Sequence, residues 1–211
     1  MIKVWDYKKE YEFLRNDILK AVDDVFKGGI LIFGPKLEEF EEKFSKYIGV
    51  KYGIGVGNCT DALYIALRAL KIGKGHEVIT VSNTAVPTVT AIVNAGASAK
   101  FVDINEYSLI DVKKIEKAIT KKTKAIMPVH LFGQSCEMNK IIELAKKYNL
   151  KVVEDCAQGL WGNDHRGVVT GTSGDISTWS FENSKQLTSG DGGMASTNDE
   201  NLAQKLRQIG G

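Results

Sequence analysis

Apolar residues along this chain fall into two alternating rhythms. In the first, they return every three or four positions, the spacing of one face of a helix. Positions 6–26 read this way through Leu14, Ile18, Leu19, Val22 and Val25, and Lys27-Gly28-Gly29 closes the segment. Positions 37–47 repeat the pattern behind Pro35. In the second rhythm, short apolar runs mark strands: YGIGV at 52–56, EVITV at 77–81, AKFVDI at 99–104, KAIMPV at 124–129 and KVVED at 151–155. Helical patterns at 61–70, 87–96, 111–119 and 137–148 separate these runs. ISTWSF at 176–181 and GMAST at 193–197 add two more runs, and a helix over 199–208 follows. Strand–helix alternation predicts an α/β fold in three layers, a mostly parallel sheet covered by helices on both faces.

Composition narrows the function. The 211 residues are 43% hydrophobic, enough for a sizeable core, and the formal net charge is only +2. That balance carries no footprint for nucleic acid, which needs clustered Lys and Arg. Three cysteines (Cys59, Cys136, Cys156) and three dispersed histidines show no zinc spacing and no disulfide framework. No apolar run reaches membrane-spanning length and the N-terminus lacks an apolar signal core, so a cytoplasmic enzyme without metal is expected.

In parallel sheets, ligands sit beyond the carboxyl ends of strands, and four places there can carry chemistry. GIGVGNCTDALYIALRAL at 53–70 is a strand, a small-residue turn and a helix. Its helix start offers free N–H groups to an anion, with Thr60 as cap and hydroxyl donor. From Gly55 the row reads G-V-G-N-C-T, lacking the third glycine of a dinucleotide site, so a single phosphate fits better. KVVEDCAQG at 151–159 ends an apolar strand in Glu154-Asp155, and alternation points one of the two toward the cleft. Ser180 and Lys185 follow in SFENSK, and Gly190-Asp191-Gly192-Gly193 forms a tight turn beside them. Each has a plain alternative: a helix cap, a surface ion pair, an exposed lysine, a simple turn. Together they offer a phosphate cradle, a carboxylate for a ring nitrogen and an imine-forming lysine, which are the three partners of pyridoxal phosphate.

In wording and order, GVGNCTDAL, PVHLFGQ, VVEDCAQ, GTSGD and SFENSK followed by GDGG resemble the DegT/DnrJ/EryC1/StrS aminotransferases, nucleotide-sugar enzymes of pyridoxal phosphate fold type I. The resemblance runs from Leu31-Ile32-Phe33-Gly34-Pro35 to the last residue, and Lys185 follows Asp155 by 30 residues as that pattern expects. It implies that Lys185 joins the cofactor as an imine and serves as acid and base. It further implies that Asp155 pairs with the pyridine nitrogen, Gln158 hydrogen-bonds the ring's phenolic oxygen, and Cys59, Thr60 and Ser180 hold the phosphate. The implied reaction moves an amino group from glutamate to a keto carbon of a nucleotide-linked sugar in a homodimer.

Two positions depart from the pattern: Cys59 stands where Gly or Ala is common, and Ala85 where a ring-stacking aromatic is usual. The chain also stops at Gln208-Ile209-Gly210-Gly211, where family members continue. The expected layout is therefore an N-terminal helical segment over 1–35 and a large domain over 36–211, with the small C-terminal domain absent. Three rivals stand beside this reading. The related sugar dehydratases replace the lysine with histidine, which Lys185 opposes. A catalytically incomplete remnant would bind pyridoxal phosphate or only dimerise. A nicotinamide-dependent dehydrogenase is weakened by the missing glycine.

Overall fold

The apolar runs become strands β1 (Tyr52–Val56), β2 (Glu77–Val81), β3 (Ser98–Val102), β4 (Thr123–Ile126), β5 (Lys151–Asp155), β6 (Ile176–Ser180) and β7 (Gly193–Thr197). The computed structural model describes residues 6–164 and 166–210. Positions 1–5 of the expected N-terminal segment, His165 and Gly211 lie outside the described residues. The helices are α1 (Tyr7–Gly28), α2 (Pro35–Ile48), α3 (Cys59–Ala69), α4 (Val86–Asn94), α5 (Val112–Ala118), α6 (Met138–Tyr148) and α7 (Glu200–Gly210). The strands form one sheet in the order β1-β7-β6-β5-β4-β2-β3. Only β7 runs against the others, antiparallel to both β1 and β6; the rest are parallel, as the strand–helix alternation predicts.

Period-2 alternation divides the core between the two faces. Val78, Ala125 and Val153 pack with Leu63 and Leu67 of α3, Ile92 of α4 and Leu206 of α7. Their chain neighbours Ile79, Ile126 and Val152 pack with Ile115 of α5 and Ile141 of α6 on the opposite face. A third cluster joins Phe44 and Ile48 of α2 to Trp179, Phe181 and Met194. Phe44 meets Trp179 and Phe181 edge-on, at 5.4 and 5.2 Å between ring centroids, an arrangement that adds to burial alone. Trp179 Nε1 donates to Ser196 Oγ at 2.9 Å, so the buried indole is satisfied. Each cluster holds one cysteine, and all three thiols are free and buried.

Helix α1 differs from its sequence expectation in one respect. The helix forms, but none of its residues is buried. Ile18, Leu19 and Val22 are exposed, Phe13 is 88% exposed, and the 30–33 segment that follows is also exposed and apolar. Helical periodicity reveals that an apolar face exists; it does not say which surface covers it.

Gly171 is a point of close packing. Its φ is +81°, and a Cβ there would lie 2.2 Å from Cζ2 of buried Trp179. Gly171→Ala therefore combines a left-handed backbone with an overpacked core. It is expected to lower unfolding stability by about 2–4 kcal/mol in urea titration; an unchanged midpoint would contradict the contact.

Candidate active site

Parallel strands bring their carboxyl ends to one edge of the sheet, and the reversed β7 begins at that same edge. Gly193 pairs with Val56 of β1 and with Ser180 of β6. A cavity of about 510 Å³ opens there, lined by Cys59, Thr60, Thr88, Asp155, Ser180 and Lys185 among others. The volume suits a small organic ligand. A cleft of about 590 Å³ lies elsewhere, beside α2 and Arg207. Its arginine is tied to Glu41 at 2.7 Å, and its other charged groups, Glu38, Glu42, Lys46 and Lys51, are all exposed side chains.

One corner of the 510 Å³ cavity is the start of α3. Asn58, not Thr60, is the N-cap: its Oδ1 accepts the Asp61 N–H at 2.9 Å. Thr60 instead lies in the first turn, lining the cavity. Ala62 N–H is taken by the Asn58 carbonyl. The N–H groups of Cys59 and Thr60 have no acceptor among the described residues, which leaves them for an anion. Gly193 makes this corner possible. A Cβ there would lie 2.3 Å from the Asn58 carbonyl carbon and 2.6 Å from Cys59 N. The Cys59 thiol is buried, and burial together with the Asp155 carboxylate pushes its pKa well up. It behaves as a small apolar filler, in keeping with its place among smaller residues.

The opposite corner is the end of β5, where alternation separates two neighbouring carboxylates. Glu154 faces away from the cavity and is fully buried. It accepts from His130 Nε2 at 2.8 Å and from the backbone N–H groups of Gly171, Ser173 and Gly174 at 3.0, 2.9 and 2.6 Å. Burial alone would raise its pKa, yet these donors hold it below the usual carboxylate range. The GTSGD stretch at 171–175 is thus a backbone cradle for Glu154. His130 Nδ1 accepts the Cys136 N–H at 3.1 Å, so the ring keeps its proton on Nε2 and gives it to Glu154. His130, Glu154 and Cys156 lie close enough to hold a metal, but their imidazole and carboxylate donors are already committed. His130 lies 24 residues before Glu154, so the fold and not the sequence brings the pair together; PVHLFGQ and GTSGD are their only traces in the sequence.

Asp155 faces the cavity side and is 3% exposed. Its Oδ2 accepts from Thr88 Oγ1 at 2.7 Å and its Oδ1 from Ala157 N at 3.1 Å. Burial raises its pKa, and these two donors offset that only in part. Lys185 lines the same cavity and is half-buried. Ser180 lines it too. Gln158 is not among the lining residues; its Oε1 accepts the Phe132 N–H at 3.2 Å, which leaves the donor end of the amide for a ligand oxygen. Ala85 lines the cavity with its side exposed, so no ring of its own covers a ligand there.

The two adjacent carboxylates should respond oppositely to substitution. Glu154 contributes stability above its ordinary value of 4.5, lost as pH falls through its lowered pKa. Asp155, raised from 3.8, does the reverse: stability is lost as pH climbs from that value to its raised pKa. Glu154→Gln is therefore expected to destabilise by roughly 3–5 kcal/mol at pH 7. Asp155→Asn is expected to match or exceed wild-type stability, its advantage growing with pH above about 4. Urea unfolding between pH 3 and 8 checks both, and an unstable Asp155→Asn would show that the burial penalty on Asp155 had been misjudged.

The model of the DegT/DnrJ/EryC1/StrS aminotransferase family matches residues 12–210. The chain is 46% identical over 208 residues to dTDP-3-amino-3,4,6-trideoxy-alpha-D-glucose transaminase of Micromonospora megalomicea subsp. nigra, covering 98% of this chain and 55% of the relative. It is 41% identical over 198 residues to GDP-perosamine synthase of Caulobacter vibrioides, covering 93% and 52%. Among solved structures it resembles S. venezuelae DesV in complex with a ketimine intermediate, with TM-score 0.92 and 39% identity over 96% of this chain and 55% of that one. It also resembles ntda from Bacillus subtilis with bound cofactor PMP, with TM-score 0.86 and 40% identity over 92% and 44%. The chain thus spans about half the length of the curated relatives it matches.

Proposed function

The chain belongs to the DegT/DnrJ/EryC1/StrS aminotransferase family, and on that premise we propose that its 510 Å³ cavity holds pyridoxal phosphate and serves amino transfer from glutamate to a keto carbon of a nucleotide-linked sugar. One observation carries the reading: a buried carboxylate, two unclaimed helix N–H groups and a lysine all front the same cavity. The names of the relatives, a dTDP-sugar transaminase and a GDP-perosamine synthase, support the substrate class.

The residues present fit the cofactor on their own chemistry. The close approach of Gly193 to the Asn58–Cys59 peptide leaves a backbone cradle for a phosphate, with the Thr60 and Ser180 hydroxyls beside it. The dipole of α3 favours the dianion there. Asp155, pinned at both oxygens, offers an acceptor to a protonated ring nitrogen. The donor end of the Gln158 amide suits an anionic ring oxygen. When bound, the cofactor supplies an electron sink for charge left on a carbon that loses a proton. Lys185 is the only amine among the described residues lining the cavity. Its Nζ is the group that attaches the cofactor and that takes and returns the proton at the carbon bearing the transferred nitrogen.

The protein is expected to develop a visible absorption band with pyridoxal phosphate, reducible by borohydride, with the label mapping to Lys185. Lys185→Ala should lose the band, and turnover on keto-sugar substrates should fall by at least about 10²-fold. Asp155→Ala should lose turnover while remaining folded. A band that persists in Lys185→Ala would refute the assignment, and a reducible band without turnover would favour the non-catalytic remnant.

A second copy of this chain is the proposed cover for α1. Ile18, Leu19, Val22 and Phe26 share one face of α1 and, with Ile30 to Phe33, present apolar side chains to solvent, more than an isolated subunit favours. Light scattering should give a dimer at micromolar concentration, and Val22→Asp with Phe26→Asp should shift it to monomer; a monomeric wild type would refute the pairing.

A further inference from the structure

We propose that Thr84 and Thr88 form a one-directional hydroxyl relay that fixes the Asp155 carboxylate in a single orientation and presents it to the cavity as an acceptor. Neither threonine is assigned to touch the cofactor; both are positioning residues. The inference rests on the reading that Asp155 meets the ring nitrogen, and it extends that reading to the residues behind the carboxylate.

The direction follows from counting hydrogens. Thr88 Oγ1 lies 2.7 Å from Asp155 Oδ2 and 2.7 Å from Thr84 Oγ1. A hydroxyl has one hydrogen, and a carboxylate can only accept. Thr88 therefore gives its hydrogen to Asp155, and Thr84 must give its own to Thr88. Thr88 is 1% exposed, so both bonds are largely shielded from water. The Ala157 N–H holds the other carboxylate oxygen at 3.1 Å, and the two contacts together stop the group from rotating.

Local structure sets the spacing. Positions 84 and 88 are four apart across the start of α4, where Thr88 N bonds the Ala85 carbonyl at 3.2 Å. Thr84 precedes the Ala85 cap and Thr88 lies in the first turn, so the chain's entry into α4 sets the two hydroxyls side by side. The relay explains why a buried acid can stay an acceptor. Burial pushes the Asp155 pKa up, and the Thr88 hydroxyl is the largest influence opposing it. The other titratable groups acting on Asp155 are Cys59 from α3, Lys185 from the loop after β6 and, from behind the sheet, His130 in the turn after β4, with Glu154 and Cys156 adjacent in the chain.

Carbon-13 carboxyl NMR of aspartate-labelled protein, without cofactor, tests the relay directly, with the Asp155 resonance assigned by Asp155→Asn. Thr88→Val keeps the side-chain shape and removes the hydroxyl. It is expected to move the Asp155 titration midpoint up by about one pH unit, a tenfold gain in proton affinity. Thr88→Ser should restore the wild-type midpoint. Thr84→Val, at a half-buried site, should move it in the same direction by less, and it tests the outer link if the buried variant does not fold. An unmoved midpoint in Thr88→Val, or in Thr84→Val where only that variant folds, overturns the relay; so does a Thr88→Ser protein that behaves like Thr88→Val. Pyridoxal phosphate titration of the wild type separates the two ideas. Failure to bind, with the shifts intact, removes the proposed cofactor and leaves the relay standing.

Discussion

The fold is organised around the burial of two consecutive carboxylates at the end of a central strand. Strand geometry forces Glu154 and Asp155 to opposite faces of the sheet, and desolvation requires that each be met by donors. The two faces meet this demand differently. Behind the sheet, Glu154 is surrounded by His130 and three backbone N–H groups, enough to keep it ionised. In front, Asp155 receives only two donors and keeps a raised pKa. A saturated carboxylate serves the architecture, while one left short of donors still has affinity for a proton-bearing ligand.

The reversed strand β7 follows from the same need for a densely furnished edge. Six strands deliver their carboxyl ends there, and a seventh parallel strand would deliver only another end. Running backwards, β7 instead starts at the edge and lays the backbone of Gly193 against the Asn58–Cys59 peptide. Because no side chain intervenes, two helix N–H groups stay accessible from the cavity.

Much of this was legible in the sequence because periodicity reports burial. The alternation at β2, β4 and β5 gave the strands and the two-sided core, and the order of small-residue turn, acidic strand end and lysine loop placed the cavity. Three features were not legible. Thr60 looked like the cap of α3, but Asn58, one residue before the helix, holds the first turn; cap identity depends on backbone angles that composition does not encode. Thr88 read as an ordinary helical position, since its partner Asp155 lies 67 residues away. The apolar stripe of α1 predicted a helix correctly, yet it is left uncovered by the described residues, because periodicity describes a face and not its neighbour.

The three buried cysteines give the molecule an internal clock. Thiolate, not thiol, reacts with alkylating reagents, and Cys156, with its pKa pushed up to about 12, has almost none. Cys59, Cys136 and Cys156 each sit in a different core cluster; Cys136 and Cys156 become modifiable when their clusters open, whereas Cys59 also lines the cavity and is approached from that side. The order in which a thiol reagent labels them would read out access from the cavity against the local openings of the opposite helix face and of the aromatic packing under α2.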